Sequence, residues 1–129
     1  MSFHSHYWVR PKEGRDFLPL KDLVERIRVA FPQGQIDPEK GRKDTEKRLA
    51  TLTRLGAPQP LLESYRYPGV YCYLIEDFNP ELWIECMVWP LQAIGVTFGT
   101  EEHESRAIPL LMRLAQSLDY DVELDSDAA

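Results

Sequence analysis

Val70-Tyr71-Cys72-Tyr73-Leu74-Ile75-Glu76, Asp77-Phe78-Asn79-Pro80-Glu81, Leu82-Trp83-Ile84-Glu85-Cys86-Met87-Val88: the reading of these residues decides the fold. The flanks carry Val, Ile, Tyr and Trp, which suit a pleated and half-buried surface. The middle holds Asn79-Pro80, a turn signal. The pattern predicts two antiparallel strands, 70–76 and 82–88, around a five-residue loop from Asp77 to Glu81. Cys72 then opposes Cys86, Leu74 opposes Ile84 and Val70 opposes Val88, giving one apolar face that belongs in a core. On the other face Tyr71 meets Met87, Tyr73 meets Glu85 and Ile75 meets Trp83. A slip of one residue would exchange the two faces.

Working outward, Pro68-Gly69 and Pro90 bound further strands expected near 62–67 and 93–98. His6 to Arg10 reads as a first strand, and Asp121 to Asp125 as a half-exposed edge strand. Three helices complete the pattern. Leu20, Leu23, Val24, Ile27 and Phe31 recur at helical spacing before Pro32. Asp37-Pro38 opens a second helix as N-cap and first-turn proline, with Gly56 as its stop. Its first half, Glu39 to Arg48, has no apolar residue. The expectation is a helix docked by Leu49, Leu52 and Leu55 at its carboxyl end. A third helix spans Glu101 to Leu118, where Pro109 predicts a kink or a start near Arg106.

The order is β-α-α-β-β-β(-β)-α-β, a single α+β domain over residues 1–124 with a short acidic tail at 125–129. A largely antiparallel sheet of about four to six strands carries the helices on one face. A decorated ferredoxin-like sandwich satisfies this order without being forced by it.

Charge is unevenly placed. Residues 1–60 hold 12 Lys and Arg against 8 Asp and Glu, a net of +4, whereas residues 61–129 hold 3 against 13, a net of −10. Such polarity bears on partners more than on fold. At 129 residues, 43% hydrophobic and 28% charged, the chain has the composition of a folded globular domain. No apolar run reaches membrane-spanning length. Met1 to His6 lacks the regions of a secretory signal, and a cytoplasmic protein is expected.

The second hairpin face is the functional candidate. Tyr71, Tyr73, Trp83 and Met87 are too apolar for an ordinary solvated surface, and Glu76, Asp77, Glu81 and Glu85 rim them. Tyr65, Tyr67 and Trp89 extend the patch. Tyr and Trp suit contact hot spots because they bury much area with few rotors to freeze. The expectation is a non-enzymatic protein-binding module of the inhibitor or immunity type. Its acidic, aromatic half would dock a basic protein partner or a second copy of itself.

Other chemistry finds less support. His4, His6 and His103 with Glu101, Glu102 and Glu104 supply ligand types but no metal-binding spacing. First-turn acids are favoured by the helix dipole alone. Cys72 and Cys86 read as buried thiols. No phosphate loop, dinucleotide fingerprint or nucleophile elbow occurs, so neither cofactor nor catalytic residue is assigned. Lys40, Arg42, Lys43, Lys47, Arg48 and Arg54 would meet phosphates, but the acidic second half disfavours nucleic acid. The alternative is a small enzyme or ligand-binding domain, its pocket between sheet and helices formed by His6, Arg10, Tyr73, Glu85 and His103.

Overall fold

The computed structural model describes residues 5–76 and 79–125, with the backbone alone at 76 and 79–81. Asp77, the side chains of Glu76 and Glu81, His4 and the tail beyond Asp125 lie outside the described residues. The elements are β1 (Ser5–Pro11), α1 (Leu20–Ala30), β2 (Gln35–Asp37), α2 (Pro38–Arg54), α3 (Gln59–Glu63), β3 (Val70–Glu76), β4 (Asn79–Trp89), β5 (Ala93–Phe98), α4 (Glu101–Leu118) and β6 (Tyr120–Leu124).

They form one six-stranded sheet in the order β2-β3-β4-β5-β1-β6, with every neighbouring pair antiparallel. The hairpin register is the expected one: Cys72 faces Cys86, Leu74 faces Ile84 and Tyr73 faces Glu85. Beyond Ile75 the register shifts, and Glu76 pairs with Asn79. Taken without the segment from β2 to β3, β1-α1-β4-β5-α4-β6 in the order β6-β1-β5-β4 is the ferredoxin-like arrangement. β3 and β2 extend it beyond β4.

The core fills the space between one sheet face and two helices. Cys72, Leu74, Ile84, Cys86, Val88, Ile94, Val96 and Phe98 meet Leu23 and Ile27 of α1 and Leu110, Leu111, Leu114 and Leu118 of α4. Each such side chain contributes about 1.5–3 kcal/mol by leaving water. Both cysteines are free and buried within it. Hydrogen bonding to Cys72, followed by burial, pushes the Cys86 thiol up. Inert thiols result.

Several expectations are corrected. Residues 62–67 are not a strand: Leu61 and Leu62 enter α3, whose first turn holds Pro60, a residue that turn tolerates well. α3 is thus a fourth helix, and the three-residue β2 adds a strand. α4 starts at Glu101, not near Arg106, because Thr100 caps it by accepting from the His103 amide at 3.1 Å. Pro109 sits inside α4, with both it and Ser105 exposed, so the carbonyl deprived of its helical partner opens to water.

The largest correction concerns α2. The helices do not share one face: α1 and α4 cover the core face, and α2 packs on the other. Nor is the carboxyl end of α2 its main anchor: Leu49 and Leu52 are only half-buried and Leu55 is 73% exposed. Its buried residues are Gly41 and Thr45, in the amino half. With no side chain at Gly41, the helix backs directly onto the Gly69 carbonyl, which any Cβ there would strike. The Thr45 hydroxyl donates to the Gly41 carbonyl at 2.8 Å and accepts from the Gly69 amide at 2.9 Å. Among the described residues, no helix is long and apolar enough to cross a membrane.

Candidate functional site

The pleat sends alternate residues to the face opposite the core. Reading across the strands there, one row runs Asp37, Tyr71, Met87, Gly95, Trp8, Glu123. The next holds Gln35, Tyr73 and Glu85, then Thr97 and His6 on β5 and β1. α2 crosses only the β3–β4 part of this face. Between α2 and β1 an open groove of about 980 Å³ remains. Its floor is Gly95 and Thr97, and its sides are Trp83, Glu85 and Met87 opposite His6 and Trp8. Gly95 lets the two rings sit close: a Cβ would lie 3.2 Å from the His6 ring and 3.3 Å from the Trp8 indole, so one of them would have to give by a few tenths of an ångström.

Each aromatic is positioned by a polar partner or a neighbouring ring. Tyr71 donates to Asp44 Oδ2 at 2.6 Å. Burial first, then this carboxylate, raises its hydroxyl well above the usual 10.0. Lys40 lies 4.2 Å from the centre of the Tyr71 ring and reaches Glu85 at 3.2 Å. Tyr73 stacks on Trp83 with ring centres 5.2 Å apart. His103, from the first turn of α4, packs against Trp83 and donates through Nε2 to its carbonyl at 2.7 Å. Trp8 donates from its indole to Asp125 at 3.0 Å, with the Arg10 guanidinium 5.2 Å from its ring. At the far end Arg48 lies over Trp89, and Tyr65 meets the same ring edge-on.

Of the expected contact residues, Tyr71, Tyr73 and Trp83 are half-buried and Glu85 is exposed on this face. Met87 is only 7% exposed, so it offers a partner little contact area. Tyr67 is half exposed in the turn after α3, under Arg66. Of the expected ring of acids, Glu85 lines the groove, whereas Asp77 and the side chains of Glu76 and Glu81 lie outside the described residues. α2 lines the groove with Asp44, Lys47 and Arg48, and Glu85 lines it from β4, so both signs of charge meet there; Asp121, Glu123 and Asp125 lie on the β1–β6 side outside its lining.

Trp8 is a groove residue that sequence reading missed, whereas His6 beside it was expected in the alternative pocket. The signal of Trp8 was present: it alternates with Tyr7 and Val9, and Val9 is fully buried. What the local pattern lacks is the pairing of β1 with β5, which brings Trp8 beside Gly95.

The alternative set of polar groups is dispersed. His6 and Glu85 both line the groove, but Arg10 is held by Glu123 at 3.3 Å and His103 is engaged by the Trp83 carbonyl. Among the described residues, no three His, Cys, Asp or Glu side chains gather as metal ligands. No protein-family model, curated protein or solved structure matches this chain.

Proposed function

We propose that this protein is a non-enzymatic binding module whose aromatic sheet face docks a cationic protein partner. One observation carries the reading: α2 leaves part of that face uncovered, and Trp8, Tyr71 and Trp83 stay half-exposed along the open groove there. A sheet face meant only for solvent would carry short polar side chains. Rigid rings already held by partners lose little freedom on docking, so their burial converts efficiently into affinity. The acids on the β1–β6 side speed encounter with a cationic surface, and the rings supply the lasting contact.

Affinity capture followed by amine cross-linking tests the proposal. The expected partner is a basic protein that cross-links to Lys40 or Lys47 beside the groove and is lost with Trp8→Ala and Trp83→Ala together. Cross-links confined to Lys21 on α1, or capture indifferent to both substitutions, would refute it. So would a monodisperse homodimer joined through this face.

A further inference from the structure

The sheet has two edges of unequal openness. At one, β2 has only three residues and runs directly into α2 at Pro38. At the other, β6 presents five residues, and among the described residues no further strand pairs with it. The direction of its backbone groups follows from register. Asp125 donates to the His6 carbonyl at 2.9 Å, in phase with Trp8–Glu123 and Arg10–Asp121. Antiparallel pairs alternate between bonded and non-bonded, so Asp121 and Glu123 spend their amides and carbonyls on β1. Val122 and Leu124 turn theirs outward.

The side chains of this edge also divide by face. Asp121 and Glu123 project on the groove side, next to Trp8 and Arg10. Val122 is half-buried against the core, and Leu124 is 57% exposed. One face of the edge is therefore acidic, with Arg10 offsetting part of the charge at Glu123, and the other is apolar.

We propose that β6 accepts an extended segment of the cationic partner as a seventh strand, its Lys or Arg residues alternating with aliphatic ones. This rests on the binding reading above and states how the partner is held. Backbone bonds to Val122 and Leu124 supply register-independent affinity, and the two-faced edge selects the alternating sequence. A second copy fits poorly. Two β6 strands meeting edge to edge would oppose Asp121 and Glu123 with their own counterparts, and like charges across a ladder destabilise it.

The test titrates a short capped peptide of alternating lysine and valine into the protein and follows amide hydrogen exchange by NMR. The expected result is slowed exchange at Val122 and Leu124, with Asp121 and Glu123 little changed. Glu123→Lys should weaken binding about ten-fold. Val122→Pro, which removes an outward amide and no bond to β1, should abolish the protection at Leu124. A glutamate–valine peptide should not bind. Protection confined to β2, or equal binding of the acidic peptide, overturns the proposal. Absence of binding overturns it as well. Shifts confined to Trp8 and Trp83 overturn strand addition while leaving the groove as a docking site; the capture experiment judges that separately.

Discussion

The Tyr71 hydroxyl and the Asp44 carboxylate meet at 2.6 Å across the gap between sheet and α2. That bond sits half-buried at the groove wall, and Lys40 lies over the same ring. It couples α2, on the open face, to the strand that bears the aromatic row.

Removing it should be costly. Tyr71→Phe leaves the Asp44 carboxylate without its phenolic donor, and hydrogen bonds to charged groups contribute about 1.5–3 kcal/mol. Urea unfolding followed by circular dichroism is expected to show a loss within that range. The same group sets an alkaline limit. In the unfolded chain Tyr71 ionises near its usual 10.0, whereas in the folded chain it holds its proton to higher pH. The folded state therefore binds more protons above pH 10.0. Stability from this group is full below that value and declines as pH rises toward the folded group's own ionisation. Tyr71→Phe should flatten that decline; an unchanged alkaline slope would show that other groups cause it.

Gly41 should tolerate no side chain. An added methyl would strike the Gly69 carbonyl, a backbone atom that cannot swing away. Overpacking of this kind costs about 1–3 kcal/mol, and here it would also stretch the Thr45–Gly69 bond. Gly41→Ala and Thr45→Ala are expected to be markedly non-additive in a double-mutant cycle, because both act on one contact. Simple additivity would mean that the two residues hold α2 independently.

Leu91 should gain from replacement. Pro90 and Leu91 occupy the centre of a turn closed by Gln92 donating to the Trp89 carbonyl at 3.1 Å. Leu91 has φ 66°, in the region that suits Gly or Asn, and it is 68% exposed. Leu91→Asn gives up little burial and relieves a left-handed penalty of about 1 kcal/mol. The midpoint of urea unfolding should rise, whereas Leu91→Val should lower it, since a branched Cβ is worse placed there. A drop with Asn would point to an apolar contact made by Leu91.

The hairpin was legible in sequence because its register is written in side-chain chemistry. Only one alignment places Cys72 on Cys86 and Leu74 on Ile84, and burial rewards that alignment alone. The helix limits of α1 and α2 were legible for a similar local reason, down to Asp37 accepting from the Lys40 amide at 2.9 Å. The docking of α2 was not. Its contact is backbone against backbone at Gly41 and Gly69, and hydropathy assigns no weight to an absent side chain. Strand 62–67 was misread because Leu61 and Leu62 follow Pro60, and proline in a first turn outweighs the β-like residues after it. The groove was half legible: Tyr71, Tyr73, Trp83 and Glu85 share the expected face. Its other wall depends on β1 lying between β5 and β6, a long-range choice that no local pattern encodes.

All three tryptophans, Trp8, Trp83 and Trp89, line the groove, and none belongs to the core behind it. The ultraviolet emission of the native protein is consequently a local signal, originating from a single side of the molecule. A molecule that settles there will shift or quench it, while one that lands on α1, away from all three rings, will leave it unchanged. The chain thus carries its own built-in lamp, aimed at the surface proposed to meet a partner.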